Sequence, residues 1–94
     1  MSDSRYKKLA EVLTGYSTAL KKGDTVLFDV TDTPEAFAVE LVRAARKRGA
    51  IPLVETRSAR VGREMLMNTS EQHAKTVRDI ELNRMKKCDA YVAV

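Results

Sequence analysis

Thr25-Val26-Leu27-Phe28-Asp29-Val30, followed at once by Thr31-Asp32-Thr33-Pro34-Glu35, decides the fold. The first run is almost continuously apolar and lacks strict polar alternation. Such a run suits a strand covered on both faces, as in a parallel sheet. The second run spells a helix start. Thr33 or Asp32 is placed to cap free N–H groups, Pro34 fits the first helical position, and Glu35 suits the positive end of the helix dipole.

Downstream, Phe37, Ala38, Leu41, Val42 and Ala45 recur at helical spacing and predict a helix over 34–48. Arg43, Arg46, Lys47 and Arg48 gather near its end, where cations offset free carbonyls, and Gly49 is the expected cap. Ile51-Pro52-Leu53-Val54-Glu55 reads as a second strand. Pro52 has no N–H to give, so it belongs at the strand start or on an edge. Strand, helix and strand make a βαβ unit, whose crossover is right-handed in nearly all proteins.

Upstream, residues 4–20 carry an amphipathic helical pattern with Tyr6, Leu9, Leu13, Tyr16 and Leu20 as its apolar stripe. Gly15 inside it costs up to ~1 kcal/mol against Ala. Lys21-Lys22-Gly23-Asp24 ends the helix, with Gly23 suited to a left-handed cap.

Beyond the second strand, Thr56 to Thr69 holds a short helical pattern in Val61, Met65 and Leu66, weakened by Gly62. Ser70 and Glu71 then open a long helix over 71–87. Its apolar side is Ala74, Val77, Ile80, Met85 and Cys88, with Leu82 at the margin. Residues 89–94 form a third strand. If the two long helices cover opposite faces, the first strand is central and the order is 2-1-3. The expected fold class is therefore α/β: half of a three-layer Rossmann-like arrangement, a short parallel sheet with helices on both faces. The chain stops inside an apolar strand, whereas a parallel strand ordinarily leads into a crossover. The sheet is accordingly expected to continue beyond Val94.

The 94 residues make a single domain, 44% hydrophobic and 32% charged, which is too apolar for a disordered segment. A domain this short buries roughly 60–65% of the surface its unfolded chain exposes. No apolar run reaches the ~18–20 residues that cross a bilayer. Met1-Ser2-Asp3-Ser4-Arg5 has no apolar segment behind it, so no secretory signal is read. Cys88 is the single cysteine, which excludes an internal disulfide and a thiolate cluster and fits a reducing cytosol.

Gly15, Gly23, Gly49 and Gly62 build neither a Walker A loop nor a GxGxxG turn. Asp29, Asp32 and Glu55 fall near the carboxyl ends of two strands, the edge where open α/β sheets bind ligands. Three carboxylates there suit a hard cation such as magnesium. One helix cap and two solvated edge charges is the favoured reading, because no histidine is near. The same acids would repel a phosphate from the helix start. His73 and Cys88 lie fifteen positions apart, more than about 20 Å along a helix, so they form no dyad. Cys88 then reads as a small core residue and His73 as a surface histidine. The net charge of +4 fits a solvated helix surface. Arg57, Arg60 and Arg63, on one side of a short helix, would join Arg43, Arg46, Lys47 and Arg48 in a basic face. No aromatic platform accompanies it. An autonomous basic module for nucleic acid or a phosphate ligand is thus the alternative function.

The run Tyr6-Lys7-Lys8-Leu9-Ala10-Glu11-Val12-Leu13-Thr14-Gly15-Tyr16-Ser17, continued by Leu20-Lys21-Lys22-Gly23-Asp24-Thr25-Val26-Leu27, resembles the start of the thermophilic-type metalloaminopeptidases, the M29 peptidase family. The helix Ala36 to Gly49 entering Ala50-Ile51-Pro52-Leu53-Val54, and Glu81-Leu82-Asn83-Arg84-Met85 through Asp89-Ala90-Tyr91-Val92-Ala93, are similar to later passages of that family's N-terminal domain. The resemblance implies that residues 1–94 are the N-terminal part of a longer, two-domain cytoplasmic hydrolase. The parent would remove N-terminal amino acids from peptides with two divalent metals (zinc, cobalt or magnesium), and would form dimers. The resemblance places the metal ligands and general base in the later domain. No catalytic, cofactor-binding or metal residue is therefore assigned within 1–94. The segment alone is expected to be an inactive scaffold that shapes substrate access, with no membrane partner and peptide reached through the second domain. An unpaired edge at Ala90 to Val94 would also invite self-association.

Overall fold

The central strand is β1 (Thr25–Thr31), paired in parallel with β2 (Ile51–Arg57) on one side and β3 (Ala90–Ala93) on the other. The strand order is β2-β1-β3, as expected from the pattern of elements. The computed structural model describes residues 4–94. The register pairs Leu27 with Leu53 and Tyr91, and Asp29 with Glu55 and Ala93.

Alternation along β1 divides two environments. Val26, Phe28 and Val30 are at most 2% exposed and form the core with Val92 of β3. α2 (Glu35–Lys47) supplies Phe37, Leu41, Ala44 and Ala45 to the same cluster. α1 (Ser4–Val12) adds Ala10, and Leu20 closes one end. Each fully buried large side chain there contributes about 1.5–3 kcal/mol relative to exposure. Leu27 and Asp29 point to the other face, which α4 (Glu71–Lys86) partly covers. Helices therefore stand on both faces, but only α1 and α2 seal theirs with apolar side chains.

The N-terminal helix departs from its expected stripe. Ala10 and Thr14 are buried, whereas Leu9 is 47% and Tyr16 is 89% exposed. The core-facing line runs through Tyr6, Ala10, Leu13 and Thr14, whose small members let α1 lie against α2. The Tyr6 and Phe37 rings sit 5.6 Å apart. Regular helix ends at Val12 and widens into a π turn over Leu13–Ser17, so the helix stops short of residue 20. The hydroxyl of Thr18 donates to the Leu13 carbonyl at 2.9 Å, and its N–H reaches the same oxygen. Thr14 donates to Ala10 at 3.0 Å, which satisfies a buried hydroxyl. Gly15 has a positional reason: a Cβ there would lie 3.2 Å from Arg48 Nη1. Arg48 in turn donates from Nε to the Leu20 carbonyl at 3.1 Å.

The start of α2 also differs. Pro34 occupies the N-cap position and no side chain caps the helix. Asp32 has φ +50 and turns its carboxylate toward the next loop, where it accepts from the Ala59 N–H at 3.2 Å. Short polar residues tolerate this left-handed backbone. The Thr33 hydroxyl donates backward to the Thr31 carbonyl at 3.1 Å. The far end matches expectation: Gly49 has φ +78, and a Cβ there would meet Lys22 Cγ at 3.0 Å.

β2 runs two residues past the expected end, because Thr56 and Arg57 still pair with Val30 and Thr31. Pro52 is the second residue of this edge strand. α3 (Ala59–Leu66) is capped by Ser58, and α4 by Ser70, whose Oγ accepts from the His73 N–H at 3.0 Å. The half-buried line of α4 is Ala74, Val77, Glu81, Arg84 and Cys88. Ile80, Leu82 and Met85 are exposed, against the expected apolar side. Ion pairs from Glu81 and Arg84 to β2 set the rotation of this helix.

Glu81 meets Arg57, the last residue of β2. Residues 71–80 therefore extend roughly 15 Å beyond the sheet at 1.5 Å per residue. With α3 they form an arm off the carboxyl edge. The radius of gyration is 14.8 Å, against about 12 Å for a compact domain of this length. Among the described residues no helix is long and apolar enough to cross a membrane.

Candidate functional site

The carboxyl edge of the sheet gathers most of the polar side-chain contacts between strands. Asp29 is the hub. Its Oδ1 accepts from Arg57 Nε at 2.7 Å and its Oδ2 from the Tyr91 hydroxyl at 2.6 Å. Arg57 Nη2 continues to Glu81 Oε1 at 3.1 Å. Arg84 Nη1 reaches Glu55 Oε2 at 3.0 Å. One network thus ties β1, β2, β3 and α4 together. Asp29 is well covered, its side chain 14% exposed, while Arg57 is 39% exposed.

Charge follows this geometry. Burial works against the Arg57 cation, but hydrogen bonding and charge from Asp29, then Glu81, prevail and hold its pKa above the usual value. The hydrogen bond to Asp29, with burial and the Asp29 charge behind it, raises the Tyr91 phenol. The hollow enclosed by Leu27, Asp29, Arg57, Glu81, Met85 and Tyr91 is only about 20 Å³. That is the room of a single water, so the network is a brace rather than a substrate pocket.

The three carboxylates read as a magnesium candidate do not converge. Asp29 is held by Arg57 and Tyr91, Asp32 by the Ala59 N–H, and Glu55 by Arg84. Among the described residues no three His, Cys, Asp or Glu side chains come together to hold a metal. This donor set does not fit a two-metal centre.

The other singled-out groups are dispersed. Arg57 ends a strand, so it does not share a helix side with Arg60 and Arg63, and the expected basic face is not assembled. Lys21, Lys22, Lys47 and Arg48 line a hollow of about 500 Å³ beside Glu11 and the end of α2. There they offset the helix carbonyls. His73 is exposed and its Nδ1 lies 3.0 Å from the Thr69 hydroxyl. Cys88 is half-buried and donates to the Arg84 carbonyl at 3.3 Å.

Tyr91, and Arg57 as a partner of Asp29 rather than part of a basic face, are the site residues that sequence reasoning misses. The available signal was parity: with in-register strands in the order 2-1-3, Asp29, Glu55, Arg57 and Tyr91 share one face. Ending β2 at Glu55 instead groups Arg57 with Arg60 and Arg63 on a helix, whereas it is the last residue of the strand.

Comparison with known proteins bears on this arrangement. The family model for thermophilic metalloproteases, M29, matches residues 2–94. Among solved structures, wild-type AmpT from Thermus thermophilus is similar at 24% identity and a TM-score of 0.59. The match covers 73% of this chain and 18% of that one. At such identity the likeness speaks for the fold, and the chain spans under a fifth of the solved structure. No curated protein matches the sequence.

Proposed function

Because this chain belongs to the thermophilic M29 metalloprotease family, we propose that residues 1–94 are the N-terminal α/β domain of a longer, two-domain aminopeptidase. The parent acts in the cytoplasm, forms dimers, and removes N-terminal residues from peptides. Its two divalent ions and their ligands belong to another part of the parent. This domain is inactive alone and serves as a fixed wall of the substrate route.

The family match over residues 2–94 carries this reading. The carboxyl edge supports it chemically: its acids are each engaged by a separate donor and no three of them come together around one point among the described residues. Asp29, bridging Arg57 and Tyr91, instead keeps the three strand ends in fixed relation. A wall that directs a peptide must not yield, since small misplacements of a substrate cost large factors in rate.

The test is hydrolysis of leucyl-p-nitroanilide. The purified chain should release no nitroaniline above the buffer rate with added cobalt or zinc. A longer polypeptide carrying this segment should release it in a metal-dependent manner. Metal-dependent turnover that co-elutes with the 94-residue chain as one peak would overturn the proposal.

A further inference from the structure

The turn ahead of β1 and the end of α2 bring cations together at the amino edge of the sheet. Lys21 and Lys22 come just before β1, and Lys47 and Arg48 just before β2. All four line one hollow of about 500 Å³, where Glu11 is the one carboxylate among the described residues. Glu11 approaches Lys47 only to 4.0 Å, between side chains 46% and 76% exposed, and such a pair contributes little. Asp24 accepts from the Lys21 N–H at 2.9 Å and does not line the hollow. Lys21, Lys22 and Arg48 have no ion-pair partner among the described residues. The end of α2 offers the equivalent of roughly half a negative charge, against a surplus of three positive charges around the hollow. The carbonyls of Ala45 and Arg46 already accept from the N–H groups of Arg48, Gly49 and Ala50. Most of the positive charge is therefore left without a counter-charge.

The cations are also seated by the backbone. The Gly23 N–H donates to the Gly49 carbonyl at 2.9 Å, which ties the lysine turn to the end of α2. The Lys22 stem lies over Gly49, where a Cβ would come within 3.0 Å of its Cγ. Arg48 lies over Gly15, and its Nε is fixed on the Leu20 carbonyl at 3.1 Å. Two glycines thus leave room for two cations. Nη1 and Nη2 of Arg48 donate to nothing among the described residues. A guanidinium held by one nitrogen, with its outer donors free and lysines around it, matches the oxygens of phosphate groups. We propose that this hollow binds a small oligophosphate, a chain of two or three phosphate groups. Its volume falls within the ~300–1,000 Å³ of ligand sites. A carboxylate or a single phosphate would neutralise only part of the surplus. No aromatic ring among the described residues lines the hollow, so a nucleotide base has no surface to stack on. The site stands apart from the peptidase reading, at the opposite end of the strands from the Asp29 network.

The experiment is calorimetric titration of sodium tripolyphosphate into the 94-residue chain. At ~20 mM salt, where screening is weak, a Kd of roughly tens of micromolar is expected, with orthophosphate about tenfold or more weaker. Lys21→Gln with Lys47→Gln changes two exposed side chains. Circular dichroism should therefore be unaltered, while affinity falls at least about tenfold. Arg60→Gln with Arg63→Gln removes the same charge on α3 and should leave Kd within about twofold of wild type. Arg48→Lys keeps the charge without the fork and should weaken binding about threefold or more. Equal loss in the two double variants would reduce the effect to net charge and refute the site, as would full affinity in Arg48→Lys. ATP binding much more tightly than tripolyphosphate would mean that a base is read. Duplex DNA binding more tightly than tripolyphosphate would make the surface one for nucleic acid. Either result overturns the proposal, as does an absence of tripolyphosphate binding.

Discussion

Replacing Arg57 with Ala isolates what the carboxyl-edge network contributes. Asp29 is largely shielded, and it keeps only the Tyr91 hydroxyl when Arg57 is gone. A hydrogen bond to a charged group is worth about 1.5–3 kcal/mol. Arg57 is itself 39% exposed, so water can partly replace it. Exposed ion pairs measure only about 0.2–1 kcal/mol. The two bounds place the cost near 1–2 kcal/mol. In a domain of this size each kcal/mol moves Tm by roughly 4–8 °C, so the drop should be about 5–15 °C. Glu81→Ala removes only the outer pair, between side chains 39% and 46% exposed, and should cost less than about 1 kcal/mol. The assay is urea unfolding followed by circular dichroism, run as a double-mutant cycle on Asp29→Ala and Arg57→Ala. Coupling of about 1 kcal/mol or more is expected. If Arg57→Ala unfolds at the wild-type urea concentration and the cycle shows no coupling, the brace is not holding the edge and the reasoning fails.

Other consequences are equally open to measurement. Tyr91 has a raised folded pKa, so its contribution is complete below the ordinary tyrosine value near 10 and is lost as pH rises through the folded value; the 295 nm difference between wild type and Tyr91→Phe should show one late-titrating phenol. Phe28→Ala empties the centre of the core, where Phe28 is 0% exposed, and should cost about 3–5 kcal/mol by urea midpoint. Gly49→Ala combines φ +78 with a contact on Lys22 at 3.0 Å, so a loss of about 1–2 kcal/mol is expected in the same assay.

The sheet was readable because burial on both faces writes itself into Val26–Val30 as an apolar run interrupted only by Asp29. Ser70 announced the start of α4, whereas the Ser58 cap of α3 emerges only with the fold. The helix faces were less legible, and for a shared reason. Along α1 and the π turn that follows it, the large residues Leu9 and Tyr16 are outside, while Ala10 and Thr14 are inside. Close approach of α2 selects small side chains, so the hydrophobic pattern places Tyr6, Leu13 and Leu20 correctly but passes over Ala10 and Thr14. On α4 the inward line includes Glu81 and Arg84, which β2 neutralises through Arg57 and Glu55. A period count scores those two as solvent-facing because partners from a distant strand are invisible to it. The exposure of α3 was equally hidden: Val61, Met65 and Leu66 gave the helix correctly, but their pattern would be identical with or without a neighbour to cover them.

The choice of ions for the second face has a physical logic. An apolar layer there would bind α4 more firmly but would not distinguish one strand register from another. Shifting β2 or β3 by one residue exchanges its faces. Arg57 would then leave Asp29 without its cation, or Tyr91 would carry its hydroxyl into the core beside Phe28. Either slip strands a shielded carboxylate or a buried hydroxyl, at a cost of about 1–3 kcal/mol each. The first face, built from Val, Phe, Leu and Ala, supplies the bulk of the burial, and the second fixes which pairing receives it. Substituting Asp29, Arg57 and Tyr91 together by Leu, Met and Phe separates these roles. The triple variant should keep or exceed wild-type stability. It should also lose definition, with broadened amide NMR signals at residues 29, 57 and 91. Sharp, singly populated signals in that variant would show that the apolar face alone sets the register.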